Sequence, residues 1–180
     1  PNVAAYCGHS ALRTWVMHED ATKRAASDDE VAEMKTVLRG ALDAGAIGLS
    51  TSTFSGHNGA DGVPMPSRLA DEREMRALAA TLGEAGKGIL ISSQGAKDVA
   101  FAESLAAETG RPMLLTGIVH NPAMPETCFA EIAAVNAAQA RGLPVYAQVA
   151  CQPITLIFTL TSPYPFEQLK AWQPAFAVYQ

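Results

Sequence analysis

One supersecondary unit recurs along the chain although its letters do not repeat: an Ala-rich amphipathic stretch, a glycine, then a short apolar run. It is seen as LDAG before AIGLS (residues 42–50), GEAGKG before ILIS (83–92), AETGRP before MLLT (107–116) and QARGLP before VYAQVA (139–150). A glycine at the end of a helical pattern takes up the left-handed conformation that closes a helix without steric cost, so each marks a stop. The strand follows within a few residues.

Helix starts are equally legible. Ser27 with Glu30, and Asp71 with Glu74, have the spacing at which a cap side chain and a reciprocal Glu satisfy first-turn amides. Val31, Met34, Val37, Leu38, Ala41 and Leu42 recur at helical spacing and form a stripe to lay on a sheet. The strands read as continuous apolar runs, as expected of parallel strands covered on both faces. With residues 3–7 as the first, the pattern predicts about five strands and four crossover helices. This is an α/β chain of repeating β/α units, either an open doubly wound sheet or part of a TIM-like (β/α)8 barrel. A complete barrel takes roughly 250 residues, and the chain has 180. Residues 1–152 are therefore read as a partial barrel. Residues 153–180, with four prolines among aromatics, are read as an irregular continuation of the same domain. The chain opens at Pro1 on a strand-like run and stops at Gln180 after an aromatic segment, which reads as an internal piece.

Composition narrows the function classes. The net charge is −5, with Lys and Arg scattered rather than striped, so the footprint of a nucleic-acid binder is missing and a small-molecule substrate is expected. Cys7, Cys128 and Cys151 show neither CxxC spacing nor an even count, which fits a reducing cytoplasm. The most apolar stretch, 154–160, is far shorter than the ~20 residues of a membrane span. No membrane partner is expected.

In parallel β/α folds ligands gather at the carboxyl ends of the strands, where loops project from a rigid rim. The positional candidates are Gly8, His9 and Ser10, then residues 50–52, 92–94, 117–120 and 148–152. The longest connection, FSGHNGADGVPMPSR (54–68), is rich in turn formers, and long ordered loops on such rims are often functional. Within it, His57 either contacts substrate or shapes a turn. Arg68 either forks onto a carboxylate or is a solvated charge. His9 has three compatible roles: metal ligand, donor to substrate, or partner of a backbone carbonyl. His18 reads as surface. His120 either caps its strand or faces the cleft.

Several chemistries lack their signatures. There is no HxH or HExxH, so a metal site made wholly within the chain is not expected. Ser10, Ser52 and Ser93 have no GxSxG elbow, and no phosphate-binding glycine pattern is present.

Taken in order, NVAAYCGHSALRTWVM, ALDAGAIGLSTS, GHNGADGVPMPSRLA and LGEAGKGIL resemble the N-acyl-D-amino-acid deacylase (D-aminoacylase) branch of the amidohydrolase superfamily. The resemblance runs from Asn2 to about Ile154. It implies a zinc-dependent hydrolase on a distorted (β/α)8 barrel, in which metal-bound water attacks the amide bond of an N-acyl (D-)amino acid. It also implies that the HxH pair of the first strand and the catalytic aspartate of the last lie outside this segment. The family's two later histidine ligands align with Ser93 and Gly117, where a hydroxyl and a bare backbone stand instead. The resemblance therefore leads to the expectation that no metal is bound by this segment, that the catalytic residues lie elsewhere, and that His9, His57, Arg68, Ser93 and His120 contact substrate. A segment of this kind on its own is expected to be inactive and, with sheet edges and apolar faces exposed, to self-associate. Two alternatives stay open: a divergent metal-poor relative, and an open α/β domain that binds a small molecule without catalysis.

Overall fold

Each strand of the repeating pattern pairs in parallel with the one before it. A computed structural model describes residues 2–59, 62–93, 98–122 and 124–149, and in the tail 151, 155, 157–159, 166 and 169–176. The strands are β1 (Cys7–Gly8), β2 (Gly48–Ser52), β3 (Ile89–Ser93), β4 (Met113–Ile118) and β5 (Val145–Val149). They form one sheet in the order β1-β2-β3-β4-β5, all neighbours parallel.

That order separates the two architectures. A doubly wound sheet reverses direction and places helices on both faces, whereas a barrel wall winds one way. Here the winding never reverses, so right-handed crossovers stack every helix on one side. The helices are α1 (His9–Met17), α2 (Asp28–Asp43), α3 (Glu72–Ala85), α4 (Val99–Thr109) and α5 (Pro125–Ala140), and each packs on the next. A short α6 (Gln173–Phe176) follows in the tail.

Two expectations need correction. The crossover from β1 to β2 holds two helices, because residues 9–17 form α1 where a rim loop was expected. This helix has no side-chain cap and no acidic residue in its first turn, so the usual start signals are missing. The first strand is also shorter than residues 3–7: only Cys7 and Gly8 pair, although Ala5 still accepts a hydrogen bond from the Ile47 amide (2.9 Å).

The core lies between the helices and one face of the sheet. Leu49, Leu90, Met113, Leu115 and Val145 project from the strands onto Met34, Leu38, Leu78, Leu82 and Leu105, all buried. Each such side chain contributes about 1.5–3 kcal/mol by leaving water. The start of α2 has the expected reciprocal cap, Ser27 Oγ accepting from the Glu30 amide and the Glu30 carboxylate from the Ser27 amide. At the start of α3 only half of that arrangement forms. Asp71 accepts from the Glu74 amide (2.8 Å), but the Glu74 carboxylate turns into the core, where two buried donors compete for it.

Where β2 begins, the backbones of β2 and β3 come close. A Cβ at Gly48 would lie 1.9 Å from the Ile89 carbonyl oxygen, and the residue has φ +151°. Gly48→Ala is therefore expected to cost about 3 kcal/mol or more in urea unfolding. Gly45→Ala, at φ +109° with nothing within 4 Å, is expected to cost about 1 kcal/mol of backbone strain. Equal losses would contradict the close-approach account.

Candidate functional site

Strand register sets the chemistry of the rim. Ser52 stands opposite Ser93, Ser93 opposite Thr116 and Thr116 opposite Gln148, so one layer across four strands is made of hydroxyls and an amide. Alternation puts this layer on the face away from the helices, while Leu49, Leu90 and Leu115 face the core. Ser93 Oγ and Thr116 Oγ1 are 3.1 Å apart, and Thr116 donates to the Ser92 carbonyl (3.2 Å). A cleft of about 540 Å³ opens at the carboxyl ends of β1, β2 and β3, walled by His9, Ser50, Ser52, His57, Ser67 and Ser93. Among the described residues that line it there is no carboxylate, lysine or arginine.

Beneath the cleft lies a buried charge network. His9 opens α1 and is 1% exposed; Nε2 is 2.7 Å from Glu74 Oε1 and Nδ1 is 2.8 Å from Thr51 Oγ1. Arg13, one turn further along α1, donates to the other oxygen of Glu74 and to the carbonyls of Arg24 (2.7 Å) and Ala21 (3.4 Å). Burial opposes the charge on Glu74, but hydrogen bonds from His9 and Arg13 outweigh it and hold the carboxyl below its ordinary range. With both imidazole nitrogens engaged, His9 forms the floor of the cleft.

The connection after β2 folds back over the rim. The amide of Gly59 donates to Val63 (2.7 Å) and that of Met65 to His57 (3.2 Å), making a narrow ribbon that ends in a 3-10 turn, Pro66–Leu69. Ser67 pins this turn down: Oγ donates to the Ser52 carbonyl (2.8 Å) and meets Ser10 Oγ at 3.0 Å. The half-buried His57 places Nδ1 2.6 Å from Ser52 Oγ, with Phe54 packed edge-on at 5.2 Å. Arg68 donates through Nη1 to Asn58 Oδ1 and to the His57 carbonyl.

Of the residues singled out from sequence, His9, His57 and Ser93 come together in the cleft. Arg68 and His120 are not among its lining: Arg68 clasps the ribbon from the side, and His120 lies exposed past β4, its Nδ1 3.8 Å from Cys128 Sγ. Gln94 and Gln152 lie outside the described residues. Sequence reasoning missed Glu74, Arg13 and Ser67, and reached Thr51 only as one of the strand-end positions 50–52. Glu74 had a signal, being a charge inside the apolar stripe it shares with Leu78 and Leu82, and Arg13 had the same one between His9 and Met17.

Ser93 and Gly117, at the ends of β3 and β4, do not fit a metal ion. Ser93 is a neutral hydroxyl engaged with Thr116, and Gly117 is the residue at which the β4–β5 register shifts, with φ +84° and no side chain to offer. His9 is committed to Glu74 and Thr51. Among the described residues, no group of three or more His, Cys, Asp or Glu side chains is placed to hold an ion. Nor is any described helix long and apolar enough to cross a membrane.

Solved structures of D-aminoacylase superpose on 82% of the chain with TM-scores of 0.66 and 0.67 at 24% and 23% identity. The chain matches part of a D-aminoacylase barrel. One of those structures was described as defining a novel subset of amidohydrolases, and another concerns the role of a binuclear metal centre. The matched part is 30% of each solved chain. By sequence, 53 residues are 53% identical to an N-acyl-D-aspartate deacylase and 45% identical to a D-aminoacylase, both of Alcaligenes xylosoxydans xylosoxydans. That stretch is 29% of this chain and 10% of each relative, so the chain accounts for only a fraction of such an enzyme. No protein-family model matches.

The network under the cleft makes a direct prediction. Glu74→Gln keeps the shape but leaves the Arg13 cation buried without its counter-ion, at an expected cost of about 3–5 kcal/mol. Because the folded Glu74 pKa is lowered, its contribution is fully present above about pH 4.5 and is lost as pH falls through the folded value. Denaturation from pH 7 to pH 3 is expected to show a shallower acid decline in the variant than in the natural protein. Parallel declines would remove Glu74 from the account.

Proposed function

We propose that this chain is the cleft-bearing part of an amidohydrolase that cleaves the amide bond of N-acyl-D-amino acids. The observation that carries this reading is the 53-residue likeness to two enzymes whose names specify that substrate class, in a chain that also folds as part of the D-aminoacylase barrel. The cleft suits such a ligand. Its hydroxyls and imidazole offer neutral hydrogen bonds to an amide and its acyl carbonyl, and its described lining carries no charge to repel a carboxylate.

On this reading His57 and Ser93 contact substrate, while Arg68 acts from a distance by holding the ribbon that carries His57. His9 shapes the floor. The groups that act on the scissile bond belong to parts of the protein outside this chain, as does any metal ligation, because Ser93 and Gly117 supply none. Those same two residues favour a second reading, a metal-poor relative whose barrel persists with a changed or lost reaction.

Assay of the full-length protein against N-acetyl-D- and N-acetyl-L-amino acids, with elemental analysis of bound metal, separates the two. Deacylation of D-enantiomers is expected. His57→Ala is expected to lower kcat/KM by roughly 10- to 100-fold, the worth of one hydrogen bond of about 1.5–3 kcal/mol, with Tm unchanged. A protein free of metal and inert toward both enantiomers would favour the second reading.

A further inference from the structure

The ribbon over the cleft carries an imidazole with one ring nitrogen held against a serine hydroxyl. Ser52 Oγ receives the Phe54 amide hydrogen at 3.3 Å, which occupies one lone pair, and faces His57 Nδ1 at 2.6 Å. A serine hydroxyl has one proton to donate. For Ser52 the acceptor in reach among the described residues is His57 Nδ1, and 2.6 Å suits an O–H donor better than a ring N–H. Nδ1 is then the unprotonated nitrogen and Nε2 bears the hydrogen. Phe54 packs edge-on against the ring at 5.2 Å, and Arg68 ties the backbone carbonyl of His57 to the side chain of Asn58. Among the described residues Nε2 has no hydrogen-bond partner, and His57 lines the cleft beside Ser50, Ser52 and Ser93.

We infer that Ser52 is a positioning residue that fixes His57 as the neutral Nε2–H tautomer, making it a hydrogen-bond donor to a carbonyl or carboxylate oxygen of the bound ligand. This rests on the reading of the cleft as the substrate site. His57 is then no base: its basic nitrogen is turned away from the ligand and covered by Ser52. Its part is to recognise an oxygen and, where that oxygen gains charge, to stabilise it.

The tautomer is readable without any substrate. Long-range proton–nitrogen NMR spectra of the full-length protein at neutral pH, with His57 assigned by its loss in His57→Gln, are expected to show Nε2 protonated and Nδ1 not. Ser52→Thr, which keeps the hydroxyl, is expected to preserve that pattern, and Ser52→Ala to convert it to a mixture of tautomers. An Nδ1–H tautomer in the natural protein, or a pattern indifferent to Ser52→Ala, would overturn the inference whether or not the protein deacylates anything. Where deacylation is found, the Gln side chain, which can present an amide N–H near the Nε2 position, provides a second readout. His57→Gln is expected to retain kcat/KM to within about 10-fold while His57→Ala loses more. Equal loss in both variants would mean that the imidazole acts through its basicity and would overturn the donor role. Failure of deacylation with the expected tautomer would leave this inference standing and count against the reaction alone.

Discussion

The carboxylate of Glu74 holds the working end of this structure together. It sits on α3, yet its two oxygens are taken by His9 and Arg13 of α1, and Arg13 in turn reaches the carbonyls of the turn between α1 and α2. A buried carboxylate and guanidinium are tolerated because each supplies what the other needs, and breaking such a pair leaves an uncompensated charge in the interior. The network thus fixes α1 to α3 directly under the rim. Through Thr51 it also fixes α1 to β2. The ribbon, the 3-10 turn pinned by Ser67 and the imidazole of His57 all build on that base.

Above it, one-way winding and parallel register decide what a ligand meets. Parallel strands in register bring Ser52, Ser93, Thr116 and Gln148 to one level, where they make a neutral polar shelf. Hydroxyls in such a row satisfy one another, as Ser93 and Thr116 do, and remain able to accept or give hydrogen bonds to a ligand. A metal centre demands basic, convergent donors, which the Ser93 hydroxyl and the side-chain-free Gly117 are not. Solved D-aminoacylase, for which a binuclear metal centre is described, and this chain share a barrel wall.

The repeating wall was legible in the sequence because its signals are local. Helix-stopping glycines, Ser27 with Glu30, and apolar runs of strand length each report on a few consecutive residues, and the sheet follows from their order. Helix α1 was not, since it lacks a cap and an acidic first turn and is held by Arg13 and His9, a tertiary cause. The same cause explains Glu74: its spacing from Asp71 promised a reciprocal cap, and a stronger pair of partners 61 and 65 residues away took the side chain instead. In the cleft, His9, His57 and Ser93 were legible as strand-end or loop residues on a known kind of rim. Arg68 illustrates the limit. Whether a loop arginine faces a ligand or clasps its own loop depends on a fold-back that no local pattern encodes.

The proposal stands or falls on whether the cleft framed by β1, β2, β3 and His57, Asn58, Met65 and Ser67 receives the substrate. A crystal structure of the full-length protein with an N-acetyl-D-amino acid bound tests it most directly. The account predicts the ligand on the polar shelf, an oxygen within hydrogen-bond distance of His57 Nε2 and another polar atom near Ser93, with His9 still joined to Glu74. A ligand bound elsewhere, with this cleft unchanged and filled only by water, would contradict it.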